Sequence, residues 1–282
     1  MIQSLTEKTL YLLVTYCPEQ SRFSALEQVI QSLKNEQQTK NFDIEKNLTV
    51  FDNGSPNETL ELLKRNFKSS LIFSTQENKG YWSAINWILQ QSFTNSYEYI
   101  YIIEADHFHF GLDKIKNCEI TLDKYPFLGS VRTQEYDVKN SILYNKTLAH
   151  PSGRRYAWVA HINHVTGENI TTQNLDDDLM VYQSNFLACL HSVNRMKTLK
   201  KCFQRLQALG NISENTFQEY YHEEYPIIGQ LDGGVFHAKL GCTLDDKNIV
   251  SGSWTSKEKL KKINYFTTRV DVIRDYESVV TL

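Results

Sequence analysis

The sequence predicts an α/β fold in which a mostly parallel β-sheet is flanked by helices. Short apolar runs alternate with segments of helical periodicity through the first 110 residues, which is the pattern of a parallel sheet covered by helices. Two of these runs, 48–52 and 99–106, end on acidic residues. With 282 residues, of which 41% are hydrophobic, the chain can bury one large core and carry an elaborated second half.

Four strands are predicted in this first part, each a run of mainly apolar residues. They are expected at Leu10–Thr15, Leu48–Asp52, Leu71–Ser74 and Tyr97–Ile103. Because helical segments separate them, the strands should form a βαβαβαβ unit with parallel pairing.

Three helices are predicted between these strands. The first follows from apolar residues three and four apart: Phe23, Leu26, Ile30 and Leu33. Ser55, Pro56 and Glu58 supply a hydroxyl cap, a proline at the first helical position and a glutamate three residues after the cap. A second helix is therefore expected from there to about Phe67. The third is marked by Trp82, Ile85, Ile88 and Leu89.

The second half is less regular. Strands are expected at Phe127–Val131, Tyr156–Ile162 and Phe186–Leu190, and the polar stretch 133–178 predicts a substrate-side insertion or hairpins. A helix with Val193, Met196 and Leu199 on one face should stop at Gly210, and a helical pair is expected over Glu214–Gly241. The polar tail after Ser251 is expected to be a mobile tail or a lid.

Charge and cysteine content exclude several classes of protein. The formal net charge of -3 offers no basic field for nucleic acid, so no nucleic-acid partner is expected. The five cysteines form no CxxC pair, which favours buried thiols in a reducing compartment. No signal peptide and no apolar run of transmembrane length is found, so a cytoplasmic protein is expected. Peripheral contact with a membrane stays open.

The acidic strand ends predict a binding site. Asp52 ends the second strand, and Glu104 and Asp106 end the fourth. Ligands of open parallel sheets bind in the crevice at the carboxyl ends of the strands, so we expect one nucleotide and metal site there. The alternative for Asp52 is a structural turn, since Asp-Asn-Gly is strong turn chemistry. His107 and His109 follow directly, either as metal ligands or as a polar strand edge.

An ordered set of motifs resembles the GT-A glycosyltransferases, especially the family-2-like group. The set consists of Val14-Thr15-Tyr16 after the first strand, Asp52-Asn53-Gly54-Ser55 after the second, Asn78-Lys79-Gly80 with Ala84 and Asn86 opening a helix, and Glu104-Ala105-Asp106 after the fourth strand. The chain departs from the family pattern at Glu104, where Asp is usual, and at Ile85, where Arg often stands. In the second half the resemblance extends to an acidic pair, Glu223-Glu224, with Glu224 where Asp is usual.

The resemblance implies a single GT-A domain with a nucleotide-sugar-binding half (1–110), an acceptor-binding and catalytic half (111–250) and a tail or lid (251–282). The implied activity is transfer of a hexosyl group from a nucleotide-sugar donor, UDP-linked, to a hydroxyl of a glycan or lipid-linked acceptor, with inversion favoured. The implied cofactor is Mn²⁺ or Mg²⁺. The implied donor-binding residues are Thr15, Tyr16, Asp52, Gly54, Asn78, Gly80, Ser83 and Glu104.

The resemblance also implies the metal ligands and the base. Asp106 would bind the metal directly, and His237 would join it, since some GT-A enzymes recruit a histidine late in the chain. Glu224, or else Glu223, would be the general base that takes the proton of the acceptor hydroxyl.

Two alternatives remain. A sugar-phosphate nucleotidyltransferase normally carries a glycine-rich loop after the first strand, and residues 16–22 contain no glycine. A noncatalytic module that binds sugar nucleotides or glycans would keep the sheet and lose the base, consistent with Glu104 and Glu224 at nonstandard positions. A nicotinamide dehydrogenase is disfavoured because no GxGxxG segment opens the first helix.

Overall fold

The central strand of the nucleotide half, β1 (Thr9–Thr15), is buried along its whole length. It pairs in parallel with β2 (Leu48–Asp52) on one side and with β4 (Tyr99–Glu104) on the other. β2 in turn pairs in parallel with β3 (Ile72–Ser74). Strands that are buried on both faces need apolar residues at successive positions, which is why the sequence reads as continuous apolar runs. The predicted parallel α/β sheet is confirmed.

This computed structural model describes residues 8–40, 43–109, 112–139, 142–145, 180–183, 192–210, 212, 214–225, 227–237 and 272–282. Its helices are α1 (Gln20–Lys40), α2 (Asn57–Asn66), α3 (Tyr81–Gln90), α4 (Leu112–Lys124), α5 (Met196–Leu209) and α6 (Glu214–Glu224). No helix among the described residues has the length and apolar character needed to cross a membrane.

The helices divide between the two faces of the sheet. Tyr11 and Leu13 of β1 pack in one apolar cluster with α1, α2 and α4, whereas Leu10 and Leu12 pack in a second cluster with α3, α5 and α6. Alternate residues of a strand point to opposite faces, so one buried strand serves both clusters. The sheet is therefore the middle layer of three.

The start of α2 differs from the expectation. The helix begins at Asn57, with Pro56 at the cap position and no side-chain cap. The Ser55 hydroxyl instead accepts a hydrogen bond from the backbone N–H of Cys17 at 3.0 Å. Ser55 therefore ties the end of β1 to the end of β2 and does not cap the helix.

The second half extends the same sheet. Its strands are β5 (His107–His109), β6 (Leu128–Lys139), β7 (Ile142–Asn145), β8 (Met180–Gln183), β9 (Ser192–Arg195), β10 (Ile227–His237) and β11 (Val280–Thr281). The order across the sheet is β11-β3-β2-β1-β4-β9-β6-β10-β5, with β7 beside β6 and β8 beside β10.

Strand directions define two edges of this sheet. β9 is antiparallel to both β4 and β6, so β6 runs in the same direction as β4, and β10 is parallel to β6. The carboxyl ends of β1, β2, β4, β6 and β10 therefore meet at one edge, which we call the carboxyl edge. The opposite side, where these strands begin, is the amino edge.

Several second-half expectations are corrected. A helical pair was predicted over Glu214–Gly241, but the described residues of this range, 214–225 and 227–237, form one helix, α6, followed by β10. Pairing with β6 and β5 on its two sides fixes this segment as a strand. Val193 lies in β9, and the helix begins at Met196. Gly210 ends that helix as predicted, in the left-handed conformation with φ of 72°.

Three other predicted segments lie outside the described residues: the strands at 156–162 and 186–190, and the start of the tail at 251–254. The end of the tail is described. Residues 272–282 lie against the nucleotide half, where β11 pairs with β3.

Candidate nucleotide and metal site

Asp52 ends β2 at the carboxyl edge and has no exposed surface. Its Oδ2 accepts hydrogen bonds from the Ser55 backbone N–H at 3.1 Å and the Ser74 hydroxyl at 3.3 Å. Its buried Oδ1 has no hydrogen-bond partner among the described residues. Burial raises the pKa of Asp52 to about 6, although hydrogen bonds to Ser55 and Ser74 act to lower it. A buried acceptor without a partner is costly, so Oδ1 is suited to a donor group of a ligand.

Asn53 joins the end of β2 to the loop before α3. Its Nδ2 donates to Asn78 Oδ1 at 2.8 Å and to the Gly80 carbonyl at 3.1 Å. Its Oδ1 accepts from the Lys79 backbone N–H at 3.3 Å and from the Tyr276 hydroxyl at 2.5 Å. These four bonds use the full capacity of an amide side chain. Asn53 is therefore a structural link between loops.

Gly54 and Gly80 both have a positive φ in these loops. Gly54 has a φ of 79°, and a Cβ atom built there would lie 2.5 Å from the carbonyl carbon of Glu77. The backbone of Glu77 and Asn78 passes close to Gly54 and leaves no room for a side chain there. Gly80 has a φ of 100° at the start of α3. Both conformations favour glycine.

The second cluster of the carboxyl edge follows β4. Glu104, Asp106 and His107 offer ligand atoms that all lie within 4.8 Å of one another. Asp106 and His107 are buried, and the Glu104 side chain is 22% exposed. His107 Nε2 lies 3.6 Å from Glu104 Oε2. Carboxylate oxygens suit Mg²⁺ or Mn²⁺, and an imidazole nitrogen favours the transition metal of the two, so the donor set fits the predicted cofactor.

The backbone brings His237 to this cluster. β10 is antiparallel to β5, and His237 is the register partner of His107. Paired residues of an antiparallel ladder have Cα atoms about 4.5–5.5 Å apart. Positions 106, 107 and 237, distant in sequence, therefore meet at the carboxyl edge.

His109 has a different environment from His107. Its Nε2 lies 3.2 Å from the Tyr101 hydroxyl, and its backbone N–H donates to the Ser32 hydroxyl at 2.9 Å. Burial lowers the pKa of His109 to about 4, so the ring is neutral at ordinary pH. His109 is therefore a core residue that attaches β5 to α1.

Glu223 and Glu224 lie far from these clusters. Both are paired with α5, Glu223 with Arg205 at 2.5 Å and Glu224 with Lys201. Strand β10 begins three residues after Glu224 and runs beside β6 from Leu128 to Tyr136 before reaching His237. At about 3.3 Å per residue this path covers on the order of 25 Å. The structure thus places the predicted bases near the amino edge and does not bring them to the metal cluster.

Comparisons with known proteins agree with this architecture. Residues 14–113 match the family model described as Glycosyl transferase family 2. Among solved structures, S. aureus TarS 1-349 in complex with UDP-GlcNAc aligns with a TM-score of 0.50 and 13% identity, covering 91% of this chain and 71% of that chain. The chain has a GT-A fold, and its similarity to glycosyl transferase family 2 covers residues 14–113.

A second structure of S. aureus TarS 1-349 aligns with a TM-score of 0.49 and 13% identity, covering 82% of this chain and 60% of that chain. The present GT-A chain thus spans 60% of the length of that TarS chain. No curated protein matches this chain. At such identities the likeness to TarS concerns the fold alone.

The remaining predicted donor-binding residues of this GT-A fold lie in or beside the same loops. Thr15 ends β1 in register with Asp52, and Tyr16 is half-buried in the loop that follows. Asn78 is engaged by Asn53 and by the Gly80 backbone N–H. Ser83 is buried, donates to the Lys79 carbonyl at 2.9 Å and accepts from the Arg274 backbone N–H at 3.0 Å. Ser83 therefore serves a contact with the tail.

Sequence reasoning missed two features of this site. Ser74 donates to Asp52, and Tyr276 donates to Asn53. The sequence signal for the second feature is weak: two β-branched residues at 279–280 follow a polar tract and can form a short edge strand. Nothing local in the sequence links Tyr276 to a loop 223 residues away.

Proposed function

We propose that this chain is a glycosyltransferase that moves a hexosyl group from a UDP-linked sugar to a hydroxyl of a glycan or lipid-linked acceptor. One observation carries the proposal: Asp52 and the Glu104 cluster flank β1 at nearly the same level, since Thr15 is in register with Asp52 and Val14 with Glu104. Two strand spacings separate them, about 10 Å. A single nucleoside diphosphate can bridge that distance.

The nucleoside would bind at Asp52. Its buried Oδ1 lacks a donor among the described residues, and the imide N–H of uracil or a ribose hydroxyl supplies one. The S. aureus TarS structure that aligns with a TM-score of 0.50 is a complex with UDP-GlcNAc. That similarity supports UDP as the nucleotide to test first.

The diphosphate would bind at the second cluster. Glu104, Asp106 and His107, with position 237 beside them, would hold Mn²⁺ or Mg²⁺. When bound, such an ion supplies Lewis-acid stabilisation of the charge that develops on the leaving diphosphate. The burial of Asp106 and His107 keeps the cluster oriented and partly shielded from water.

An inverting displacement also needs a base, and α6 offers one at each end. Phe217 packs on Trp82 near the start of α3, with ring centroids 5.3 Å apart, whereas the Tyr221 hydroxyl donates to the Gly129 carbonyl near the start of β6. α6 therefore runs from the carboxyl edge, where α3 starts, toward the amino edge. Position 214, the first of α6, is therefore nearer the carboxyl edge than positions 223 and 224. We include Glu214 beside Glu224 as a base to be tested.

A second candidate is a noncatalytic module that binds nucleotide sugars. The observation that favours it is the distance of the predicted bases from the metal cluster. Both candidates predict nucleotide binding, and only the transferase predicts chemistry.

A cytoplasmic location belongs to the same proposal. Cys17, Cys118 and Cys202 are buried free thiols, and burial raises the pKa of Cys17 to about 11. Thiols that stay reduced and unreactive are compatible with a reducing compartment.

The test is a panel of UDP-, GDP-, dTDP- and CMP-sugars with and without Mn²⁺ or Mg²⁺. Thermal shift reports binding, and slow donor hydrolysis reports chemistry. We expect stabilisation by UDP-sugars that depends on metal, with detectable hydrolysis. Glu214→Gln should abolish hydrolysis if residue 214 is the base, and Glu224→Gln should do so if residue 224 is.

Each outcome has a distinct meaning. Stabilisation without hydrolysis or transfer would identify the binding module. Indifference to every donor would overturn both candidates. Glu61→Gln is the control variant, because Glu61 is an exposed carboxylate on α2 that pairs with Lys64.

A further inference from the structure

Residues 272–282, which we call the strap, are attached along the nucleotide half. In β11, Val280 is in register with Ser74 and Thr281 with Phe73, and the Leu282 backbone N–H donates to the Ile72 carbonyl at 3.0 Å. At the other end of the strap, the Arg274 backbone N–H donates to the Ser83 hydroxyl at 3.0 Å. The strap is thus attached to β3 and to α3.

Lys79 attaches the middle of the strap. Its Nζ donates to the Asp275 carbonyl at 2.6 Å and pairs with Glu77 at 2.8 Å. The same ammonium group lies 5.7 Å from the centroid of the Tyr276 ring. An ammonium group at this distance attracts the ring, so Lys79 draws the loop before α3 toward the strap.

Tyr276 reaches from the strap into the loops of the site. Its ring packs on Phe51 with centroids 5.4 Å apart, and its hydroxyl donates to Asn53 Oδ1 at 2.5 Å. Burial raises the pKa of Tyr276, so the hydroxyl keeps its proton at all ordinary pH values. Tyr276 is therefore a constant donor to Asn53.

The strap reaches Asp52 by two separate routes. Tyr276 holds Asn53, the residue after Asp52, and β11 pairs with Ser74, whose hydroxyl donates to Asp52 Oδ2. Asn53 also holds Asn78 and Gly80 at the start of α3. A displacement of the strap would therefore alter the groups on both sides of the Asp52 carboxylate.

We propose that Tyr276 is a positioning residue for the nucleoside part of the donor, acting through Asn53 on the Asp52 carboxylate and the loop before α3. This inference rests on the proposed nucleotide-sugar site. Asn53 has no remaining hydrogen-bonding capacity for a ligand, so its role is to fix the loops. The strap orders the nucleoside end only, since the described contacts of Tyr276 involve neither Glu104 nor Asp106.

The test compares Tyr276→Phe, which keeps the ring on Phe51 and removes only the hydroxyl, with Tyr220→Phe. Tyr220 is the matched control because its ring packs on Arg205 of α5, away from the strap. Calorimetric titration with UMP and with UDP plus Mn²⁺ gives the nucleotide affinities, and Mn²⁺ electron paramagnetic resonance gives the metal affinity. Unfolding temperatures are measured without ligand.

For Tyr276→Phe we expect affinity for both UMP and UDP to fall about five- to tenfold, the size of one hydrogen bond. Its affinity for Mn²⁺ should match that of Tyr220→Phe, and its unfolding temperature should be lower, because Asn53 Oδ1 loses a donor. Equal UMP affinity in the two variants would overturn the inference and leave the proposed function standing. Absence of nucleotide binding by the wild-type protein would overturn both.

A second measurement needs no variant. Coupling between two sites is reciprocal, so UMP should slow hydrogen exchange at the Arg274 and Leu282 amides of the wild-type protein. We expect at least threefold slower exchange at both amides when UMP is saturating. Unchanged exchange in the presence of bound UMP would overturn the inference.

Discussion

The two edges of the sheet both carry carboxylates, but in opposite environments. At the carboxyl edge, Asp52 and Asp106 are buried, and Asp52 accepts hydrogen bonds from the neutral groups of Ser55 and Ser74. Near the amino edge, Glu223 and Glu224 are exposed and paired with the cations of α5. Exposed pairs of this kind contribute little, whereas the buried Asp52 Oδ1, which has no hydrogen-bond partner among the described residues, is costly until a ligand donates to it. Burial and hydrogen-bond partners, more than the type of acidic residue, therefore distinguish the carboxylates of the candidate site from those of the surface.

The largest difference between the edges should appear in catalysis. Asp106→Asn removes a charge from the metal cluster, so donor hydrolysis should fall about 10²- to 10³-fold, as expected for loss of electrostatic stabilisation. Glu224→Gln at the amino edge should stay within about twofold of wild type if its ion pair is only a surface contact. The rate of UDP-sugar hydrolysis is measured for both variants. A larger loss in Glu224→Gln than in Asp106→Asn would identify Glu224 as the base.

The second-largest effect should be on stability, in a comparison of alanine substitutions at Gly54 and Gly210. Gly54→Ala places an L residue at positive φ, at a cost of about 1–2 kcal/mol, and adds a contact of 2.5 Å with the Glu77 backbone. Gly210→Ala is the control, since its φ is 72° and nothing lies within 4 Å of the added Cβ. Urea unfolding should show Gly54→Ala to be less stable than Gly210→Ala. Equal stabilities would mean that the loop at 77–78 moves away without cost.

Substitution of Asp52 by Asn should give a smaller effect. It should stabilise the folded protein at neutral pH but weaken nucleotide binding. The pKa of Asp52 is raised from 3.8 to about 6, so the folded state binds the extra proton. The protonated Asp52 therefore contributes to the free energy of unfolding in full below about pH 4, and this contribution is lost as pH rises through about 6.

Above pH 6 the buried charge costs roughly 3 kcal/mol. Asp52→Asn removes that cost but weakens the hydrogen bonds to Ser55 and Ser74. A net gain of about 1 kcal/mol is expected at pH 7.5, together with a roughly tenfold loss of UDP affinity. Thermal unfolding from pH 4 to pH 8 measures the change in stability, and calorimetric titration measures the UDP affinity. A variant that loses stability at pH 7.5 would indicate a structural turn instead of a binding residue.

The smallest effect is expected near the amino edge. Lys201→Met removes the partner of Glu224, and the free energy of unfolding should change by no more than about 1 kcal/mol. Chemical denaturation of Lys201→Met and of the wild-type protein measures this difference in the free energy of unfolding. A larger loss would show that this ion pair supports the packing of α6 on α5.

The nucleotide half could be predicted from the sequence because its signals are local. Continuous apolar runs identified β1 to β4, and the acidic residues that end two of these runs, Asp52 and then Glu104 and Asp106, were predicted to lie at one edge. The second half could not be predicted in the same way. β10 is a strand because β6 and β5 lie on its two sides. The local sequence around Gly233 and Gly234 does not predict that pairing. The link from Tyr276 to Asn53 is likewise tertiary and leaves no local pattern.

The most direct test of the carboxyl edge as a nucleotide and metal site is calorimetric titration of UDP into the wild-type protein, Asp106→Asn and Glu224→Gln, each with and without Mn²⁺. The account predicts that Mn²⁺ tightens UDP binding at least tenfold in wild type and in Glu224→Gln, and has no effect in Asp106→Asn. UDP affinity that is independent of Mn²⁺ in the wild-type protein, or equally metal-dependent in Asp106→Asn, would contradict it.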